Sequence, residues 1–288
     1  MVPAGSESNA NERGANVGLR ADRDWRGYDG VAEIYGRVQA PRTALVAADL
    51  AALARPPDGG RVLDVGAGTG ASTAAAQDAV GTAGLAVGLD PSLGMLGAAA
   101  RAHPRLRFVA AEAIDLPFPD ATFDAALANF VIAHFTKYET ALFDILRVLK
   151  PGGRLAVSVW SDREDEFQRA WRELVESVTT HELLQDAHDR AMPWEARFRD
   201  PKQLEETLRA AGLHPVSVER REYRFHMSRE DYVAGRETTA SGRFLRDMLG
   251  EQEFRSFGQR ARTVFAERFP DPLTDFRDVL LAVGTKPA

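Results

Sequence analysis

Apolar residues along this chain fall into two alternating patterns. Short continuous runs, Arg61–Val65, Leu85–Asp90, Leu106–Ala111, Asp124–Phe130 and Arg154–Trp160, are bounded by turn residues and predict strands buried on both faces of a parallel sheet. Between them lie segments of helical period. An alanine-rich stretch opens at Ser72, and after Thr136-x-x-Glu139, which has the form of a capping box, Ala141, Leu142, Ile145, Leu146 and Leu149 recur on one helical face. Lys150-Pro151-Gly152-Gly153 should end that helix, with a cation near its C-terminus, a proline that cannot continue it and glycines free to turn. Asp200-Pro201 and Gly212 frame a further helix as ordinary caps, and Val216–Phe225 and Asp278–Val283 read as the last two strands.

Three segments break the alternation. Trp25–Leu53, ahead of the first strand, carries Tyr28 and Tyr35 at a seven-residue spacing that puts both on one face of a helix. Ser161–Arg199 is amphipathic, with Phe167, Trp171, Leu174 and Val175 at helical spacing, and suggests a lid or a dimer face. Ser228 to about Pro270 is a helical insertion rich in arginine and phenylalanine. The expected layout is an arm over 1–22, a helical cap over 23–55, and a domain over 56–288 with insertions at about 161–199 and 228–270.

The chemistry centres on the turn after the first strand, Asp64-Val-Gly66-Ala-Gly68-Thr-Gly70. Without side chains at Gly66 and Gly68 the backbone can approach a ligand closely, and the N-terminus of the following helix favours an anionic group. Asp90 ends the next strand, where an acid can bind two ribose hydroxyls. A phosphate-binding P-loop is excluded, because Ala71-Ser72 follows Gly70 and no lysine is available. The dinucleotide pattern Gly-x-Gly-x-x-Gly/Ala is satisfied by Gly66, Gly68 and Ala71, so the turn alone leaves NAD or FAD open.

Composition narrows the class. The chain has 288 residues, 44% of them hydrophobic, enough for a full core, and a net charge of −6 argues against a broad nucleic-acid surface and for a small-molecule partner. There is no cysteine, which removes disulfides, thiol catalysis and cysteine–metal sites and is compatible with the cytoplasm. Met1–Arg20 lacks the apolar stretch of a secretory peptide, and no run reaches the roughly 18 apolar residues of a membrane span. A monomer or homodimer without a membrane span is expected.

Four blocks in this order, Leu63–Gly70, Gly88–Leu96, Ala111–Asp124 and Leu146–Gly153, resemble the class I S-adenosylmethionine (SAM) methyltransferases, in particular the group similar to ubiquinone- and menaquinone-biosynthesis enzymes. The resemblance implies a Rossmann-like, doubly wound, mostly parallel seven-stranded sheet with the last strand antiparallel, helical insertions forming a substrate lid, and S-adenosyl-L-methionine as cofactor. It implies methyl transfer to a small molecule at oxygen, nitrogen or carbon, in secondary-metabolite or quinone-like biosynthesis. Non-methylating cyclisation on the same fold is the alternative, and a nicotinamide oxidoreductase explains the glycine turn but not Leu116-Pro117-Phe118 or Leu149–Gly153.

Carried onto matching positions, the resemblance places Asp64 toward the methionine amino end, Gly66, Ala67 and Gly68 along the methionine and adenosine, and Asp90, Pro91 and Met95 around the ribose. Glu112, longer than the aspartate common there, and Ala113 would meet the adenine, Asn129 and Phe130 would border the sulfonium, and Tyr28 and Tyr35 would cover the cofactor. His134, four residues after Phe130, is the candidate general base, although a histidine bonding backbone in a loop is the plainer reading. His181 and His188 lie near Glu182 and Asp186, but Gln185 breaks any His-Glu-x-x-His and no metal site is expected.

Overall fold

A computed structural model describes residues 26–161 and 163–288. The expected arm over 1–22, the start of the cap and Trp25 lie outside the described residues, as does Asp162. After a 3-10 turn at Asp29–Val31 come α1 (Ala32–Val38) and α2 (Ala40–Ala54). The alternating part follows as β1 (Arg61–Val65), α3 (Ala71–Val80), β2 (Leu85–Asp90), α4 (Leu93–Ala102), β3 (Arg107–Ala110), β4 (Phe123–Asn129), α5 (Tyr138–Val148) and β5 (Leu149–Trp160). Then come α6 (Glu166–Glu176), α7 (His181–Ala191), α8 (Glu195–Phe198), α9 (Pro201–Ala210), β6 (Val216–Met227), α10 (Arg229–Glu237), α11 (Ala240–Leu249), α12 (Glu251–Arg268) and β7 (Leu273–Thr285).

The seven strands form one sheet in the order β3-β2-β1-β4-β5-β7-β6, parallel except for β7, which runs against both neighbours. This is the expected Rossmann-like sheet with its last strand reversed. Strand order turns back between β1 and β4, and their carboxyl ends diverge there into the crevice where open α/β sheets bind ligands. Alternate residues feed two cores. Leu63, Val65, Leu155 and Val157 face α5 and α9, whereas Val62, Ala125, Leu127 and Ala156 face α2 and α3. No helix among the described residues is long and apolar enough to cross a membrane.

Several local expectations need correction. Tyr28 and Tyr35 do not share a helix, because Tyr28 precedes the 3-10 turn and only Tyr35 lies in α1. The Thr136 capping box does not form. Lys137 is the N-cap of α5 without a side-chain bond, and the start is set by Tyr138 at N1, buried edge-on against Trp194 and Phe198. Lys150–Gly153 ends α5 but does not separate it from β5, since it bulges between the pairings Phe123↔Leu149 and Ala125↔Arg154. Strands β6 and β7 are longer than their apolar runs because each supplies the other's backbone partners over twelve register pairs. The two insertions meet in space. Phe167, Trp171 and Leu174 of α6 pack with Tyr232, Leu245, Phe257 and Phe265 of α10–α12 into a third core, so α6 and α10–α12 make one helical lid, whereas Met192, Trp194 and Phe198 at the end of the first insertion pack into the α5-side core.

Candidate functional site

The turn after β1 is built from glycines in left-handed backbone. Gly66, Gly68 and Gly70 have φ of +72°, +54° and +90°, values that side-chain-bearing residues rarely adopt. The amides of Gly66 and Ala67 both donate to the Leu89 carbonyl, which fixes the turn against the end of β2. A methyl group on Gly66 would lie 2.3 Å from Val131 Cγ2, so the turn abuts the segment after β4, whereas one on Gly68 would meet nothing within 4 Å. Gly68 therefore borders open space where a ligand can lie against backbone.

Asp64, on the α3 side of β1, is fully buried. Its Oδ2 accepts from Thr73 Oγ1 at 2.6 Å, while Oδ1 has no partner. Burial, with the Asp90 charge adding and the Thr73 bond opposing, pushes this carboxyl up to about 7. A buried acceptor left open in this way fits a cation or an amine-bound water. Asp90 is half-buried at the end of β2. Its Oδ2 accepts from the Gly68 amide and its Oδ1 from the Ser92 amide, both at 2.9 Å, so each oxygen keeps a lone pair for a hydroxyl. Burial raises its proton affinity and the two amides oppose that. Pro91 is exposed, Met95 is buried within α4, Glu112 is exposed just past β3 and Ala113 packs partly into the α5-side core.

Asn129 ties the switch point together. Its Nδ2 donates to Ser72 Oγ at 2.8 Å and to the Thr43 carbonyl at 3.2 Å, and its Oδ1 accepts from Ser158 Oγ at 2.5 Å. The side chain is fully engaged with α2, α3 and β5, which leaves its backbone to border any ligand. Phe130 has φ +57°, held by its amide donating to Ser158, and its ring stacks on Trp160 with centroids 3.9 Å apart.

Beyond this lies a cavity of about 270 Å³, walled by Tyr28, Tyr35, Phe130, His134 and Trp160 on the sheet side and by Arg236 and Ser241 of the lid. The Tyr28 ring meets both Tyr35 and His134 edge-on, at 5.9 and 5.8 Å, and carries the Arg243 guanidinium 4.0 Å above it. Tyr28 and Tyr35 therefore line the cavity. His134 Nδ1 donates to the Ala191 carbonyl at 3.1 Å, because a carbonyl can only accept, and that tautomer leaves Nε2 an acceptor. Burial, reinforced by the Arg243 charge, pushes the imidazole down to about 4. The ring is neutral across ordinary pH and only weakly basic.

Among the described residues no group of three or more histidines, cysteines, aspartates or glutamates could hold a metal. His188 pairs with Glu195 and His181 faces Glu176. Several site residues were invisible in sequence. Asp29 Oδ1 accepts from Ser92 Oγ and from the Gly94 amide, both at 2.7 Å, and so latches the N-terminal segment onto the start of α4. Asp275, Arg42 and Arg277 form a buried group that no motif marks. Thr73, nine residues after Asp64 on the first turns of a helix, had a readable spacing but no chemistry to single it out.

Comparison with known proteins bears on this geometry. A family model described as a methyltransferase domain matches residues 63–157. A demethylmenaquinone methyltransferase of Renibacterium salmoninarum is 46% identical over 104 residues, 36% of this chain and 42% of that protein, so the match spans under half of that relative. One from Clavibacter sepedonicus is 34% identical over 175 residues, 58% of this chain and 69% of its own length. In structure, the Haemonchus contortus phosphoethanolamine N-methyltransferase 2 in complex with S-adenosyl-L-methionine superposes with a TM-score of 0.53 at 18% identity, over 90% of this chain and 57% of that one. That likeness is one of fold.

Proposed function

The chain belongs to the class I S-adenosylmethionine-dependent methyltransferases, and from that premise we propose that it moves a methyl group from S-adenosyl-L-methionine to a small-molecule acceptor held in the cavity under the lid. The observation that carries the reading is Asp64, a fully buried carboxylate with one open oxygen at the glycine turn of the switch point. When bound, the cofactor supplies an electrophilic methyl on a sulfonium sulfur.

The residues present suit that ligand. Asp64 receives the methionine ammonium through water, and Gly66, Ala67 and Gly68 let the ligand lie against backbone. Asp90 takes the ribose hydroxyls with the lone pairs its two amide bonds leave, beside Pro91 and Met95. Glu112 and Ala113 meet the adenine, Asn129 and Phe130 border the sulfonium, and Tyr28 and Tyr35 close over it. The names of the relatives support an electron-rich, quinol-like ring as acceptor, and the flat Phe130–Trp160 stack in the cavity wall suits a ring.

Orientation carries most of the rate in this reading, since aligning two reactants can supply about 7 to 11 kcal/mol. His134 Nε2 accepts a hydrogen bond from the acceptor and orients it. An imidazole held near 4 stores a proton poorly, which makes its contribution as a base small.

The test is isothermal titration with SAM, S-adenosylhomocysteine and NAD, repeated in buffers of different ionisation enthalpy. Asp64 is partly protonated near pH 7 and an ammonium favours its ionised form, so adenosyl-ligand binding should release protons around neutral pH. Asp64→Asn should abolish that release and Asp90→Ala should weaken binding by about tenfold or more. Binding of NAD alone would overturn the proposal, and methyl turnover with an acceptor separates it from cyclisation on the same fold.

A further inference from the structure

The cavity wall is rich in arginine. Arg42, Arg199, Arg236 and Arg277 line it, against Glu195 as the carboxylate. Most of these cations are already matched. Arg42 and Arg277 both bond Asp275, which lies fully buried behind the wall, and Arg199 pairs with Glu195 at 3.0 Å. Of the other acids near Arg236, Asp165 caps the N-terminus of α6 by accepting from the Gln168 amide at 2.7 Å, and Glu164, in the wall of the neighbouring cavity, pairs with Arg172 at 2.9 Å.

Arg236 is different. Among the described residues it has no carboxylate within ion-pair distance, and its Nε is buried without a hydrogen-bond partner. Its nearest aromatic contact is the Trp171 ring, 5.9 Å from the guanidinium carbon. It stands in the partition between the main cavity and a second one of about 200 Å³, and it lines both. Burial lowers its proton affinity and the Arg277 charge adds to that, while Asp275 and Asp165 oppose it from beyond ion-pair distance, yet an arginine keeps its proton, so a positive charge sits in the wall with no carboxylate bonded to it among the described residues. Gln168 lines both cavities beside it. The Gln168 Oε1 is committed to the Asp165 amide at 3.0 Å, which leaves Nε2 as a donor.

An unpaired guanidinium at a cavity wall is costly until an anion fills its fork, and the anion that matches two parallel N–H donors is a planar oxyanion. We propose that the acceptor carries a carboxylate and that Arg236 receives it, with Gln168 and Arg277 completing the seat while the acceptor's ring lies along the Phe130–Trp160 stack. This rests on the methyl-transfer reading for the identity of the cavity as an acceptor site, and it narrows the acceptor from a quinol-like ring to an aromatic acid.

The full chain saturated with S-adenosylhomocysteine should be titrated with benzoate, salicylate and cinnamate and with the three matching amides. At least one acid should bind about tenfold or more tightly than its amide, because the amide has the shape without the charge. Arg236→Gln should remove that preference and leave the affinity for S-adenosylhomocysteine unchanged. Arg236→Lys, which keeps the charge and loses the fork, should fold and retain part of it. Equal binding of acids and amides, unchanged acid affinity in Arg236→Gln, or no binding by any acid at millimolar concentration would each overturn the proposal. The same titrations without S-adenosylhomocysteine separate the two readings: acid preference that survives while the adenosyl ligand fails to bind would remove the cofactor assignment and keep the carboxylate seat.

Discussion

Gly66 and Gly68 share left-handed backbone two residues apart, yet a methyl group would act differently at each. At Gly66 it collides with Val131, so Gly66→Ala should destabilise the fold by about 2 to 4 kcal/mol, combining backbone strain and overpacking. At Gly68 it enters open space. Gly68→Ala should therefore keep its stability within about 1 to 2 kcal/mol and lose cofactor affinity about tenfold, read by urea denaturation and by S-adenosylhomocysteine titration of both variants. Loss of affinity without loss of stability at Gly66 would reverse these roles. His134 yields a pH prediction. Its folded value near 4 lies below the ordinary value of 6.5, so the unfolded chain takes up the proton first as pH falls. The stability it contributes is complete above about 6.5 and is lost as pH falls toward 4. Urea midpoints measured at both ends of that window should drop further in the wild type than in His134→Gln.

Elements formed where local signals and tertiary contacts agreed. Helix α9 begins where Asp200 accepts from the Lys202 and Gln203 amides, as its Asp-Pro start predicts. Helix α5 shows the opposite outcome, since the apolar contacts of Tyr138 outweigh a cap worth about 1 kcal/mol. The Leu116-Pro117-Phe118 motif proves to be a loop held from α5, with Arg147 donating to the Leu116 and Phe118 carbonyls and Asp144 accepting from the Leu116 amide. The latch of the N-terminal segment belongs at this scale too. Asp29 is exposed, so its two bonds to the start of α4 should be worth only about 1 kcal/mol, but they seat the tyrosines over the cavity. Asp29→Ala should leave the melting temperature nearly unchanged, expose the Tyr28–Tyr35 segment to limited proteolysis and weaken adenosyl-ligand binding several-fold. Unchanged proteolysis would show that the segment is held by its other contacts alone.

Among the described residues the molecule consists of a sheet with two cores and a lid with a third. Because the lid's apolar contacts are mostly its own, its helices should open together. Hydrogen exchange should show α6 and α10–α12 exchanging as a unit ahead of β1, β4 and β5. Phe265→Ala, at a fully buried site costing about 3 to 5 kcal/mol, should erase protection in the lid and spare the central strands. Parallel loss in the strands would mean that lid and sheet form one cooperative unit.

The sequence by itself determined the alternation of strands and helices and the glycine turn with Asp90 behind it, because hydrophobic period, glycine φ and capping act within one strand or turn. It also carried the resemblance that the sheet order bears out. Only the tertiary structure decided which charges face one another. Arg42 and Asp275 are 233 residues apart, and Asn129 reaches Ser72 and Ser158 on neighbouring elements. Those pairings exist because reversal of strand order and folding of the lid bring the ends of distant elements to one crevice. The same topology leaves Arg236 without a bonded carboxylate among the described residues, since whether a buried charge is paired depends on what surrounds it in space and on nothing adjacent in the chain.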